Sequence, residues 1–256
     1  MPEGDAVFLT AARLRTALDG KMLTRSDFRV SKYATLDLRG QQVESVGSYG
    51  KHLFVRTPQL SIHTHLKMEG EYRVYTPGQR WTRPGFTARL VLATEDAEAV
   101  GFSLGLVEVL PRADEHTAID HLGPDLLGPN WDAAEAVRRL SEHPAQPIGL
   151  ALLDQRNLAG VGNIYRSEIC FLRRVHPATP VGEIEDLPAL VDEAHTVLTR
   201  AAHQPPWRAL AYGRQRRPCR RCGTNLVVHL LGDDPALARA DRGIYFCPRC
   251  QPAPSP

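Results

Sequence analysis

The chain has 256 residues, 43% hydrophobic and 23% charged, with 31 Lys and Arg against 29 Asp and Glu. That balance describes a globular protein of one or two domains, long enough to bury a real core. No apolar run reaches membrane length and no charged-then-apolar leader is present, so the expectation is a cytoplasmic protein that makes no use of a membrane. The net charge of +2 averages unlike regions. From Glu95 to Glu142 acidic residues outnumber basic ones, whereas from Pro205 to Cys222 there are arginines at 208, 214, 216, 217, 220 and 221 and no carboxylate. Such a stretch is either a surface for a polyanion or a solvated basic face.

The chain opens Met1-Pro2-Glu3-Gly4-Asp5. Pro2 either simply follows an initiator methionine or, if Met1 is removed, carries a free secondary amine that is a candidate nucleophile. An α-amino group titrates near ~7.7–8.0 and a lysine near ~10.4, so close to neutral pH the terminal amine is far more often unprotonated. Attack of a secondary amine on a sugar aldehyde gives an iminium, whose positive charge is an electron sink suited to elimination. Glu3 stands beside it as a proton donor, and Asp5 is placed to cap the next helix. Asp5 to Leu18 reads as that helix, with Val7, Phe8, Ala11, Leu14 and Leu18 at helical spacing and Gly20 to end it.

From Met22 to Leu110 the composition turns to short β-like stretches. Gln42–Ser48, His52–Arg56, Leu60–His65, Tyr72–Tyr75, Arg89–Ala93 and Leu106–Leu110 are separated by Gly and Pro turns, which indicates a β-sandwich or barrel. Lys51 follows Gly50 at the head of a strand, either a solvated strand end or a point where a ligand approaches the backbone. His63 and His65 share a strand face without a third ligand spaced to join them, and read as structural or polar-network residues. In the turn Lys67-Met68-Glu69-Gly70, Met68 either fills core or wedges between bases.

Residues 111–130 are rich in loop signals, with Gly123-Pro124 and Gly128-Pro129, and read as an interdomain link. Helical periodicity follows at Asp132–Leu140, Ile148–Asp154, Asn163–Leu172 and Leu187–Ala202. Gly160-Val161-Gly162 lacks the preceding strand a dinucleotide fold requires. It reads instead as a tight turn that puts backbone N–H groups and Asn163 at a helix N-terminus, either a phosphate site or a plain helical corner. Cys219-x-x-Cys222 and Cys247-x-x-Cys250 supply four thiolates for one tetrahedral, structural zinc, leaving no position for catalytic water. Asn225–Leu230 and Gly243–Phe246 read as the hairpin between the pairs, with Gly232-Asp233-Asp234-Pro235 in the connection and Arg242 projecting toward phosphate. Cys170 is left over as a buried helix residue.

Four features in this order resemble the formamidopyrimidine-DNA glycosylase and endonuclease VIII family along the whole chain. They are the Pro-Glu-Gly start, Gly50-Lys51-His52-Leu53, the segment ending Leu158-Ala159-Gly160-Val161-Gly162-Asn163, and Tyr245-Phe246-Cys247-Pro248-Arg249-Cys250-Gln251. The resemblance implies an α+β multidomain fold: an N-terminal helix with a β-sandwich, a helical domain with a helix–two-turns–helix motif, and a C-terminal β-hairpin zinc finger. The boundaries expected are 1–120, a linker at 121–130, 131–212, 213–251 and a tail at 252–256.

The resemblance also implies roles. Pro2 would be the Schiff-base nucleophile and Glu3 the acid that helps open the sugar. Lys51 would contact phosphate and assist β-elimination. Asn163 would hold phosphate, and Arg242 would grip phosphates and assist δ-elimination. Met68, beside Lys67, looks like the wedge that fills the gap left by a flipped base, and His121 stands where the endonuclease VIII branch has a phosphate-gripping arginine. Ser103-Leu104-Gly105-Leu106-Val107-Glu108 has neither the arginine nor the phenylalanine wedge of the formamidopyrimidine branch, and the stretch from the last helix to the finger lacks room for that branch's long loop over oxidised purines. The expectation is therefore a monomeric, nucleoid-associated bifunctional glycosylase and lyase of base-excision repair, favouring oxidised pyrimidines and needing no cofactor beyond structural zinc. Its substrate would be damaged DNA in duplex, bubble or single-stranded form. Ala6, where the family commonly has a second glutamate, and Glu69, a carboxylate facing the opposite strand, are departures. They support two alternatives: altered base recognition, or a non-catalytic damage-binding protein. An oxidised-purine glycosylase is the third alternative, and a zinc-ribbon transcription factor fits poorly because the finger is only the last fifth of the chain.

Overall fold

The computed structural model describes residues 2–204, 208–231 and 243–254. They divide into two compact units. One comprises Pro2 and residues 6–121, and the other comprises residues 3–5 together with the chain from Leu122 onward.

Helix α1 (Gly4–Leu18) runs one residue further toward the N-terminus than its apolar periodicity predicts. Asp5 therefore lies inside the first turn rather than at the cap. Val7, Ala11, Leu14 and Leu18 form its buried stripe and join a core with Leu53, Val55 and Ile62. Two four-stranded antiparallel sheets make up the sandwich. In one the order is β1 (Arg25–Phe28), β6 (Ala88–Ala93), β7 (Glu98–Phe102) and β5 (Glu71–Tyr75); in the other it is β2 (Ser45–Tyr49), β3 (His52–Arg56), β4 (Leu60–His65) and β8 (Leu106–Pro111).

Register in the second sheet decides what its two faces do. Phe54 pairs with His63, His52 with His65, and His63 with Glu108. Because side chains alternate across a strand, Leu53, Val55 and Ile62 point into the core while the histidines gather on the other face. The outer face of the first sheet is covered by the chain between β5 and β6. Trp81 packs there against Phe102, ring centroids 5.7 Å apart, and donates its indole N–H to Glu98 at 2.6 Å.

The second unit is helical: α2 (Ala133–Ser141), α3 (Ile148–Ala151), α4 (Asn163–Arg173) and α5 (Leu187–His203). Asp132 and Asp186 cap α2 and α5, accepting N–H bonds from Glu135 and Ala189 at 3.0 and 2.9 Å. The expected helix over Ile148–Asp154 is cut to four residues. Asp154 explains this: its carboxylate accepts the Arg156 N–H at 3.0 Å and its carbonyl the Asn157 N–H at 3.0 Å, a turn that competes with helix. Strands β9 (Val227–His229) and β10 (Ile244–Phe246) pair as the expected hairpin, each shorter than its apolar stretch, and the connection Gly232–Pro235 lies outside the described residues.

Candidate active site and nucleic-acid interface

Glu3 is 2% exposed, and its carboxylate accepts N–H bonds from Gly162 at 2.8 Å, Ile164 at 2.7 Å and Tyr165 at 3.2 Å. These are the opening amides of α4, where donors without helical partners and the helix dipole favour an anion. The sequence leaves them as either a phosphate site or a plain helical corner; in the structure the protein's own Glu3 carboxylate takes them, and Asn163, the first residue of α4, is 5% exposed. The glycines have steric reasons. A Cβ on Gly162 would come within 2.5 Å of the Glu3 carboxyl, and one on Gly4 within 2.9 Å of the Gly160 Cα, across which the Gly4 N–H donates to Gly160 O at 2.9 Å. Asp5 bonds the Tyr165 hydroxyl, and burial together with that carboxylate raises the tyrosine's pKa. Asp5 is thus a partner of Tyr165, not a cap.

Pro2, peptide-bonded to Glu3, is partly exposed. With Ala6, Thr10, Arg13, Tyr72 and Arg73 it lines a cavity of about 900 Å³. Alanine at position 6 leaves this wall open and uncharged.

The outer face of the β2–β3–β4–β8 sheet gathers His52, His63 and His65, with Lys51 and Lys67 close enough to act on His65. Lys51 sits in the two-residue turn between β2 and β3, after Gly50 at φ 54°, and is only 9% exposed, so it is no solvated strand end. His52 Nδ1 lies 2.8 Å from His63 Nε2, and His63 Nδ1 lies 3.2 Å from Glu108. The Lys67 N–H donates to His65 Nδ1 at 2.9 Å, which leaves the proton of a neutral His65 on Nε2. Burial first, then the neighbouring histidines, Lys67 and His121, lower the pKa of His52 to about 3; burial with Lys67 and Lys51 lowers that of His65 to about 4. Burial also lowers His63, against the pull of Glu108. These rings stay neutral at pH 7. The polar-network reading of His63 and His65 is what the contacts describe, but His52 was not singled out in the sequence; only strand pairing brings it in. Lys67 and His121 are exposed, and both lie near enough to His52 to lower its pKa. Met68 is 52% exposed, so it does not fill core.

In the helical unit Glu168 is fully buried on α4 and accepts N–H bonds from Leu210, Ala211 and Tyr212 at 2.8, 2.8 and 2.7 Å. Burial pushes its carboxyl up against the opposing pull of those amides. This contact ties the approach to the finger onto α4, and no side-chain pattern announces it. The arginine-rich stretch divides. Arg214 donates to the carbonyls of Leu210 and Pro218, and Arg221 to those of Phe171 and Leu172 while stacking over the Phe171 ring. Arg208, Arg216, Arg217 and Arg220 are exposed and form no ion pair among the described residues. Arg242 lies outside the described residues.

The Sγ atoms of Cys219, Cys222, Cys247 and Cys250 all lie within 4.8 Å of one another, with Cys219–Cys250 at 3.9 Å and Cys222–Cys247 at 3.5 Å. Zinc–sulfur bonds of about 2.3 Å at tetrahedral angles place sulfurs roughly 3.8 Å apart, so the set fits a zinc ion. Gln251, fully buried, accepts the Cys247 N–H and donates to Val175 O, fixing the second pair to the chain beyond α4.

Two family models match in sequence, the formamidopyrimidine-DNA glycosylase N-terminal domain over residues 1–103 and the formamidopyrimidine-DNA glycosylase H2TH domain over residues 122–205. The chain is 46% identical to "Probable endonuclease 8 2" of Streptomyces coelicolor, covering 100% of this chain and 96% of the relative. It is also 46% identical to "DNA-(apurinic or apyrimidinic site) lyase Nei2" of Mycolicibacterium smegmatis, covering 99% and 100%. Among solved structures it shares its fold with the Lactococcus lactis formamidopyrimidine-DNA glycosylase bound to DNA containing an abasic site, at a TM-score of 0.83, 21% identity and coverage of 98% and 100%. The chain belongs to the formamidopyrimidine-DNA glycosylase and endonuclease VIII family, in its endonuclease VIII-like branch.

Proposed function

We propose that the protein is a bifunctional DNA glycosylase and apurinic/apyrimidinic lyase. The observation that carries this reading is Glu3, next in the chain to Pro2: its carboxylate is buried and held by three backbone amides. Pro2 nitrogen attacks C1′ of the damaged nucleotide as the base departs; the Glu3 carboxylate takes the proton the amine loses and returns it to the ring oxygen, opening the sugar. The resulting iminium draws electrons from the C2′–H bond, so the proton leaves and the 3′ C–O bond breaks; a second elimination breaks the 5′ C–O bond. Both leaving groups depart as phosphates, and no cofactor takes part.

Lys51 grips phosphate at the turn and assists β-elimination, with Lys67 and His121 as further DNA contacts. Asn163 holds phosphate from the helical unit, Arg242 does so from the finger and assists δ-elimination, and Met68 fills the space vacated by the flipped base. Zinc bound by the four cysteines has a structural role. Residues 1–120 carry the chemistry, 121–130 the link, 131–212 the helical grip, 213–251 the finger, and 252–256 a tail. Substrate preference falls on oxidised pyrimidines. Only residues 204–209 separate α5 from the amides that Glu168 holds, a span too short for a loop over a purine. The protein acts as a monomer on damaged DNA in the nucleoid; no helix among the described residues is long and apolar enough to cross a membrane.

Borohydride trapping tests the reading. An abasic-site duplex is expected to give a covalent adduct that disappears when an uncleaved residue precedes Pro2. Absence of an adduct from protein whose N-terminus is verified as Pro2 would sink the enzyme and leave a damage-binding protein.

A further inference from the structure

The chain between β5 and β6 carries two aromatic residues with opposite fates. Trp81 is packed on the sheet, while Phe86, five residues on, is 82% exposed. A loose loop does not explain this, because the Phe86 turn is held from both sides. The Thr87 side chain and N–H both donate to Pro84 O, at 2.6 and 3.0 Å, and Arg29 donates to Gly85 O at 3.1 Å while lying over the Trp81 ring. Arg83 pairs with Glu71, and Arg73 donates to Thr82 at 2.6 Å. The ring is presented on a fixed support, which lowers the ordering cost of binding.

What it faces is set by its neighbours. The Ser103 N–H donates to Thr87 O at 2.8 Å, so the Phe86 turn is bonded to the Ser103-Leu104-Gly105 segment, whose one large apolar side chain, Leu104, is buried. A cavity of about 490 Å³ is lined by Pro84 and Thr87 of that turn, by Phe102 and Ser103, by the paired Arg83 and Glu71, and by Glu69, the residue after exposed Met68. Two large apolar side chains thus stand exposed on turns that border one cavity. A flipped nucleotide leaves both a gap in its own strand and an orphan base opposite. One flexible methionine fills a gap but offers no flat face; an aromatic ring does. Arg83 is paired with Glu71, so the charge left over in this lining is the Glu69 carboxylate, which disfavours phosphate and makes a base the better partner.

We propose that Phe86 stacks on the unpaired base opposite the lesion and works with Met68 as the second void-filling residue. This rests on the glycosylase and lyase reading above. The test compares wild type, Phe86→Ala and Phe86→Trp on one lesion placed in a duplex and in a single strand, under single-turnover conditions. A 2-aminopurine opposite the lesion reports stacking. Phe86→Ala is expected to lose about tenfold on the duplex and less than about twofold on the single strand, with Phe86→Trp restoring the duplex rate and the quenching of 2-aminopurine. Equal losses on both substrates, or an unchanged duplex rate, would overturn the assignment. Because the ring is exposed, the melting temperature should stay put, which separates this effect from misfolding. A wild type inactive on both substrates would remove the underlying reading; an active wild type with an indifferent Phe86→Ala would remove only this one.

Discussion

The two units treat buried ionisable groups in opposite ways. In the β-sandwich, imidazoles are stacked on a sheet face and satisfied by one another, with His52 on His63 at 2.8 Å and burial holding the rings neutral. In the helical unit, carboxylates are satisfied by backbone: Glu3 by three amides at the start of α4, Glu168 by three amides of residues 210–212. Backbone donors cannot rotate away, so they fix a carboxylate in place. Imidazole stacks depend on protonation state and so respond to pH. Geometry on the helical side and pH on the sandwich side are therefore the places where the contrast can be broken.

The largest expected effect is on catalysis. Gly162→Ala places a methyl group within 2.5 Å of the Glu3 carboxyl and forces it off the amides. Misplacing a catalytic group by about 1 Å costs on the order of 100-fold, so single-turnover cleavage of a lesion duplex should fall by about that much while binding to uncleavable abasic-analogue DNA is retained. Unchanged cleavage would show that the Glu3 cradle is packing alone.

Next comes stability. Glu168→Ala leaves three backbone N–H groups without their acceptor, at a cost on the order of 3 kcal/mol, and Glu168→Gln, which keeps an acceptor oxygen, should cost less. Denaturant melts would measure both. Limited proteolysis should show new cleavage near residues 208–213 in the alanine variant; equal stability of the two variants and wild type would mean the amides find other partners.

Legibility followed the physics of each region. Strands showed as β-like stretches between Gly and Pro turns, and His52–Arg56 and Leu60–His65 match their observed bounds. Two strands escaped that pattern. β7 is inside its sheet, where Ala99, Val100, Gly101 and Phe102 are all buried and nothing alternates; β1 is a four-residue edge strand of Arg, Ser, Asp and Phe. The clustering of the four cysteines was readable because paired spacing is a property of the chain itself, and Pro2 and Glu3 stood out as candidates by their place near the start of the sequence. Glu168 and His52 did not. The partners of Glu168 are amides more than 40 residues away, and His52 acquires meaning only when β3 is laid beside β4.

The smallest effect tests the imidazole side. His52 has a folded pKa near 3 and His65 near 4, against about 6.5 in an unfolded chain. As pH falls below 6.5 the unfolded chain gains protons that the folded sandwich refuses, so stability present above about pH 6.5 is lost progressively down to pH 3–4. At pH 5 the penalty is about 1 kcal/mol per ring once partial exposure is allowed for, or a few degrees, roughly 3–6 °C, in melting temperature relative to pH 7.5. Glu108 and Glu115 pull the other way on His63, so that ring should contribute less. In His52→Gln, which cannot take up a proton, the drop between pH 7.5 and 5 should shrink by about one ring's share. A pH dependence identical to wild type would mean that His52 is neutral for some reason other than its packing against His63, and the contrast between the two units would lose its electrostatic half.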